Sequence, residues 1–498
     1  MKNLFNILAA SLVTCLVLSS CGKVETPNNG TPGQKKEPRV ISLAFASTRT
    51  TLGEDGYTPT FAVDDQIKIS NGTGTDDCSV KYDATKGFYI ETALEGPLTA
   101  VYPASAAEIN GKNITGVLVP ATQDGTFAKA NICKAVQSGK DDELTFNNQT
   151  AILRFYVDES IGVTQLTISG TDVSSSGNSI TVTPSPSSSS PKYGGPDDRI
   201  CYVAISATAS GTTYSTLTLT SVTTTQTAYA NSTVTREISS VKLKQNEMYN
   251  AFIPYYIDLG DAGKWAYCNI GAFLPEETGD YFMWGEVNGH KRSDSNYRAF
   301  SNDFKKFDYN DKNRYTSSND SNAGDPQFDN DYFAPYYDGQ DYSDGRYNFS
   351  DGLTTLALED DAANFNWKGG WRMPTYDEFQ ALISEVIYDC GDGTENLPFI
   401  IEMNSNSLFL PYSGFGSETN LLYDDTDYWT SSLISSGDDE DLEGPMHAYC
   451  LCFDHEEAYM TWCYRSSGYC IRPIFDASLL PGVDGISGTL DPMGKVDF

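Results

Sequence analysis

The chain is poor in the residues that most often do chemistry. It holds three histidines, His290, His447 and His455, and they stand apart from one another. No H-E-x-x-H run offers a zinc pair, and no G-x-S-x-G run offers a nucleophile elbow. Asp454-His455-Glu456 reads as a polar loop. The eleven cysteines include no C-x-x-C pair, which argues against a zinc knuckle or a thioredoxin-like motif. Past residue 18 no segment is apolar enough to span a membrane. Tryptophan and histidine are absent before residue 257. From Ile257 onward basic residues are scarce: 44 acidic side chains stand against 14 basic ones, so that half carries -30 of the formal -34. Such acidity disfavours nucleic acid and anionic lipid as partners. It suits a solvated surface or cation binding.

The one long apolar run lies at the start. Met1-Lys2-Asn3 leads into apolar residues 4–18, and Leu18-Ser19-Ser20-Cys21-Gly22 follows. A basic start, a short apolar segment and small residues before a cysteine make a signal peptide, residues 1–21. The ending resembles a bacterial lipobox, which implies cleavage before Cys21 and diacylation of its thiol. A plain signal with an incidental cysteine is the alternative. Two or three acyl chains anchor stably, whereas one is marginal. Residues 22–38, rich in Lys, Pro, Asn, Gly and Thr, read as a flexible tether.

Residues 40–255 show almost no helix signal. Short alternating or β-branched runs recur at 40–46, 66–70, 98–102, 151–157, 166–169, 179–182, 201–205, 215–222 and 241–243, separated by Gly, Asn, Asp and Ser. That spacing argues antiparallel sandwiches, divided here as 39–157 and 158–255. Several of these runs resemble a fimbrillin-type pilin. They are Val40-Ile41-Ser42-Leu43-Ala44-Phe45, Phe61-Ala62-Val63-Asp64-Asp65-Gln66-Ile67, Ala100-Val101-Tyr102-Pro103-Ala104, Ala151-Ile152-Leu153-Arg154-Phe155 and Val241-Lys242-Leu243-Lys244-Gln245-Asn246-Glu247-Met248-Tyr249. The resemblance implies two transthyretin-like Greek-key β-sandwiches in a lipoprotein precursor. It also implies proteolysis after an arginine, loss of the first strand, and filling of the groove by a neighbouring subunit. Arg49 sits where such a cut falls; an ordinary surface arginine is the other reading.

The clearest helix lies in the second half. In Gly370-Trp371-Arg372-Met373-Pro374-Thr375-Tyr376-Asp377-Glu378-Phe379, Thr375 and Glu378 form a capping box. Phe379, Leu382, Ile383, Val386 and Ile387 then repeat on one helical face, predicting a core helix after Pro374. This stretch belongs to an ordered series. The other members are Trp265-Ala266-Tyr267-Cys268-Asn269-Ile270-Gly271, Tyr281-Phe282-Met283-Trp284-Gly285-Glu286, Leu358-Glu359-Asp360-Asp361-Ala362-Ala363, Tyr428-Trp429-Thr430-Ser431-Ser432 and Gly468-Tyr469-Cys470-Ile471-Arg472-Pro473. Together they resemble the major paralogous domain family, which is similar in fold to C-type lectins and to formylglycine-generating enzymes. The resemblance implies an α+β lectin-like domain over 256–476, followed by a tail, 477–498. In that fold Trp429 and its neighbours form a core strand rather than a ligand surface.

Two chemical leads remain. Residues 293–352 form an insertion dense in Asp, Asn, Ser, Gly and Tyr. It could offer calcium its oxygens, but it lacks the twelve-residue calcium-loop spacing, and a solvated acidic loop is the simpler reading. Cys463 and Cys470 flank Ser466-Ser467-Gly468, a hairpin-turn sequence, and are the expected disulfide pair. Cys450 and Cys452 share one face of a strand and read as core. Cys463 and Cys470 are also similar to the two-cysteine centre of the formylglycine-generating enzymes, although six residues separate them here where that family has four. Taken together, the expectation is a non-enzymatic outer-membrane lipoprotein of a Gram-negative bacterium, surface-exposed or fimbrial, acting as a fimbrial tip or accessory adhesin and without an obligate cofactor. Its partners are pilin subunits through strand exchange and a host or bacterial surface glycan or protein. The alternatives are a non-polymerising glycan-capture lipoprotein and an oxidase.

Overall fold

Alternation of apolar and polar residues becomes strand after strand in this chain. A computed structural model describes residues 38–45, 61–137, 142–158, 161–184, 197–223, 233–289, 354–368, 370–384, 388–389, 398–403, 406–417, 420–422, 426–434, 447–453, 457–464, 467–479 and 489–490. The architecture is mainly β. Cys21, Arg49, His290, His455 and the acidic insertion 293–352 lie outside the described residues.

The first region comprises β1 (Arg39–Phe45), β2 (Gln66–Ser70), β3 (Thr75–Ser79), β4 (Lys81–Asp83), β5 (Gly87–Thr92), β6 (Thr99–Tyr102), β7 (Ala107–Asn110), β8 (Asn113–Val117), β9 (Thr122–Gln123), a one-turn helix α1 (Phe127–Ala130), β10 (Cys133–Val136) and β11 (Glu143–Asn148). Eight of the strands run in the order β3-β2-β6-β10-β11-β1-β5-β4. β11 alternates strictly, with Leu144 and Phe146 inward. It pairs with β1 over its first four residues and with β10 over its last two, so it joins two halves of the sheet. Ile41 and Ile90 from one half and Ile67, Ile69 and Ala100 from the other meet in a single apolar cluster.

The second region holds β12 (Thr150–Tyr156), β13 (Val163–Ser174), β14 (Gly177–Val182), β15 (Ile200–Ser206), β16 (Thr212–Thr223), β17 (Thr233–Leu243) and β18 (Met248–Asn250). One sheet is ordered β15-β12-β18 and the other β17-β16-β13-β14-β9, with a two-residue strand from the C-terminal tail on the free edge of β17. The division expected at residue 158 is corrected here. β12 pairs with β15 and β18, so the chain changes sheet at Gln149, between β11 and β12. Composition could not reveal this, because β11 and β12 are separated by one residue, Gln149, with no turn or linker signal between them.

The third region begins with β19 (Tyr256–Asp258) and β20 (Lys264–Ala266). Helix α2 (Ala362–Trp367), β21 (Trp371–Arg372) and helix α3 (Tyr376–Ser384) follow. The chain continues through β22 (Tyr388–Asp389), β23 (Phe399–Met403), β24 (Asn406–Leu410), β25 (Phe415–Ser417), β26 (Asn420–Leu422), β27 (Thr426–Leu433), β28 (His447–Phe453), β29 (Ala458–Tyr464), β30 (Ile474–Phe475) and β31 (Thr489–Leu490), the tail strand on β17. Small sheets β19-β20-β30-β21 and β27-β28-β29 dominate it. The capping box forms as expected. Glu378 N–H donates to Thr375 Oγ1 at 3.3 Å, and Thr375 N–H donates back to Glu378 Oε2 at 2.8 Å. Phe379 and Leu382 are fully buried, and the Phe379 ring packs against Trp265 at 4.9 Å. Val386 and Ile387 lie outside the described residues.

The change of composition near Tyr255 is not a break in packing. One apolar cluster runs from Leu166 and Tyr202 through Phe252 and Tyr267 to Trp371 and Trp429. Residues 39–498 accordingly form one contact unit. Surface charge changes at that point while the buried face continues.

Candidate functional site

Strand β1 occupies a slot with partners on both sides. Against β5 it runs antiparallel, with Arg39 opposite Thr92 and Ser42 opposite Tyr89. Against β11 it runs parallel, with Ser42 opposite Glu143 and Phe45 opposite Phe146. Ile41 is 0% exposed and Leu43 is 9% exposed, so alternate side chains plug the core between the two halves of the sheet. The strand's start is fixed by Arg39. Its Nε donates to Asp142 Oδ1 at 2.6 Å, Nη1 to the Gly96 carbonyl at 2.8 Å and Nη2 to Gln137 Oε1 at 3.3 Å. Its end is fixed by aromatic packing. The Phe45 ring stacks on Phe61 at 4.3 Å, and Phe61 meets Tyr102 and Phe146 edge-on at 5.4 and 5.6 Å.

This geometry has a chemical consequence. Segment 46–60, which contains Arg49, starts and ends at one stacked ring pair. A cut in that segment leaves β1 joined to the body only by its ladders and side chains. Removing β1 would unpair main-chain groups on β5 and β11 and open an apolar slot, the kind of surface that another extended strand satisfies. In sequence Arg39 stands at the start of the first sandwich with no role assigned to it. Its role as a clamp depends on Gly96, Gln137 and Asp142, which are distant in sequence.

In the third region the motif residues converge on each other. Trp429 Nε1 donates to the Phe282 carbonyl and Trp284 Nε1 to the Thr430 carbonyl, each at 2.8 Å. Arg472, fully buried, donates from Nε to Asn269 Oδ1 at 2.7 Å and from Nη1 to the Ala266 carbonyl at 3.1 Å. Asn269 Nδ2 in turn donates to the Tyr428 hydroxyl at 3.1 Å. Trp429 lies on a buried strand, as expected, and these residues are internal struts.

The expected Cys463–Cys470 pairing is corrected. Cys463 on β29 is bonded to Cys450 on the neighbouring strand β28, with Cα atoms 6.5 Å apart. Cys470 is a free, fully buried thiol whose Sγ donates to the Thr278 carbonyl at 3.2 Å, and burial pushes its pKa up to about 12. Proximity in sequence across a turn was a poor guide. The bonded residues are diagonal neighbours, because Cys450 faces Thr461 and Cys463 faces Ala448. The two-cysteine centre of the oxidase reading is therefore not assembled. Among the described residues, Asp427 lies with Cys450 and Cys463 as a group of potential metal donors. Because the two sulfurs are joined to each other, that group offers a cation one carboxylate.

No protein-family model matches the chain, and no curated protein matches it. Among solved structures it is similar to a candidate cell adhesion protein from Bacteroides ovatus, over 43% of this chain and 91% of that one, at 10% identity and a TM-score of 0.27. A candidate cell adhesion protein from Bacteroides fragilis aligns over 42% of this chain and 87% of its own, at 10% identity and a TM-score of 0.23. A candidate adhesin from Bacteroides ovatus aligns over 43% and 88%, at 11% identity and a TM-score of 0.18.

Proposed function

We propose that the protein is an exported surface adhesin, lipid-anchored through Cys21, whose first sandwich is completed by strand exchange. The observation that carries this reading is the position of β1. It lies inside an eight-stranded sheet rather than at its edge, and both its ladders and its two buried side chains are local to one seven-residue segment. A seven-residue strand from another subunit could replace all of them. Cleavage after Arg49, followed by displacement of β1, would give an acceptor subunit. Limited trypsin treatment of the precursor should yield a new N-terminus at Thr50, with the β1 peptide retained until a competing strand displaces it. Cleavage confined to Lys35, Lys36 and Arg39 would sink strand removal.

The same reading places the subunit at the end of a fibre. The segment that follows β18 is buried from Ala251 to Tyr256 and runs straight into β19, so the second sandwich's own extension is held in the third region rather than free to be donated. A subunit that accepts a strand through its first sandwich and holds back this extension is a tip, with the third region making the contact with a host or bacterial surface. Immunogold labelling against residues 265–475 should mark distal fibre ends. Label along the shaft would overturn the tip assignment, and label only at the cell surface would favour a base anchor or a non-polymerising lipoprotein.

A further inference from the structure

Where the second and third regions meet, a cleft of about 430 Å³ opens, a size typical of small-molecule sites. Ile161, Ile257, Pro275 and Phe409 supply apolar walls, and Arg199, Glu276 and Ser407 supply polar groups. Its deeper side is a stack of groups held in place. The Tyr156 and Tyr267 rings lie parallel at 4.8 Å, Phe252 packs on Tyr267 at 5.8 Å, and the Arg199 guanidinium sits over Tyr156 at 5.6 Å.

Arg199 is oriented by two carboxylates from opposite regions. Nε and Nη2 donate to Asp197 Oδ1 and Oδ2 at 3.1 and 2.7 Å. Nη1 donates to Glu276 Oε2 at 3.2 Å, and Nη2 also donates to Glu276 Oε1. Those bonds use four of the five guanidinium N–H groups, leaving one on Nη1. Glu276 keeps acceptor lone pairs, and the half-exposed Phe409 keeps ring surface available in the cleft.

These features select among ligand classes. One cation with two carboxylates leaves the rim at net -1, which opposes an anionic ligand. The arginine already meets both carboxylates, so an entering cation gains little. What remains is a close mixture of donors and acceptors beside an apolar and aromatic wall. A pyranose presents that combination, with an apolar C–H face for the wall and vicinal hydroxyls for a charge-assisted fork. We propose that this cleft binds a neutral sugar residue. The inference names the ligand class of the adhesin reading above and rests on it for biological meaning, but its test does not involve strand exchange.

Ligand-observed NMR titrations of the full exported chain would use the methyl glycosides of glucose, galactose and mannose, with glucuronate and choline as charged comparators. At least one neutral glycoside should saturate, with both charged probes at least about tenfold weaker. Ser407→Trp, which fills the mouth from an exposed position, should weaken that glycoside about tenfold or more with an unchanged thermal midpoint. Glu276→Gln keeps the cleft's volume and removes the charged acceptor. It should cost about fivefold, and it stands in if the tryptophan variant fails to fold. No saturation by any of the three glycosides would overturn the proposal. So would wild-type affinity in both variants, or choline as the tightest probe. Sugar binding without fibres would leave this site standing and remove the pilus reading, whereas fibres without sugar binding would do the reverse.

Discussion

At the residue scale, buried ionisable groups set the acid response of the third region. Asp361 caps α2 by accepting from Asn364 N–H at 2.9 Å, and its other oxygen accepts from Met373 N–H at 2.8 Å. Burial raises its pKa from 3.8 to about 6 in spite of those donors. The folded state therefore takes up this proton before the unfolded chain does, and the group's contribution becomes more favourable as pH falls through about 6. His447 acts in the opposite sense. Burial lowers its pKa from 6.5 to about 4, so its contribution is lost as pH falls across that interval. Comparison with Asp361→Asn isolates the first effect. The substitution should cost about 1 kcal/mol more at pH 5 than at pH 7.5, read as the difference between urea-unfolding curves of the two proteins at each pH. An equal cost at both pH values would show that Asp361 is ionised normally. Arg372 is tuned by its neighbours instead. Two bonds from Arg372 hold the Glu378 carboxyl below the usual range, Ser478 and then Arg372 do the same for Asp476, and Arg372 thereby ties α3 to the segment around Asp476.

At the element scale, strands were easier to foresee than their partners. All the runs expected in residues 40–255 overlap observed strands, because a period of two and β-branched side chains are local properties. Missed strands such as β3 and β4 are short, mostly exposed and at the two opposite edges of the sheet, so they carry little apolar signal. Pairing is another matter. β1 finds β11 about a hundred residues away in parallel, and Cys463 finds Cys450 across a ladder instead of Cys470 across a turn. A non-reducing peptide map should contain one Cys450–Cys463 linked species and an alkylatable Cys470 after unfolding. A Cys463–Cys470 link would refute the observed register of β28 against β29. Under reduction the sheet should weaken without loss of the third region, whose core is held by the fully buried Trp265, Trp284, Trp371 and Trp429.

At the scale of the whole molecule, the second and third regions should unfold together. Tyr267 sits in the shared cluster, stacks on Tyr156 and donates to the Phe273 carbonyl at 3.1 Å. Arg236, from β17, donates to the Phe252 carbonyl at 2.7 Å with its guanidinium 4.8 Å from that ring. Removing a buried aromatic ring costs about 3–5 kcal/mol, so Tyr267→Ala should lower the tryptophan-fluorescence midpoint of the third region. Amide protection in β12, β15 and β18 should fall in parallel. Loss confined to the third region would mean that the boundary near Tyr255 is a real mechanical joint. A continuous core would pass force between the third region and the second sandwich without a hinge.

The amino-acid sequence alone determined the β class, the capping box of α3 and the shift to acidic, tryptophan-containing composition after residue 256. Each of these depends on neighbours within a few positions or on composition. It also marked Trp429, Arg472 and their flanking residues as belonging together, though not that their contacts are with one another. Only the tertiary structure decided that β1 is an inner strand, that Arg39 clamps it, that the sheets change at Gln149, that Cys450 takes Cys463, and that Arg199 and Glu276 close over one cleft. The physical reason is the same in each case. Backbone propensity is local, whereas ladder partners, disulfide geometry and buried charge pairs are set by which apolar faces cover one another across long stretches of chain.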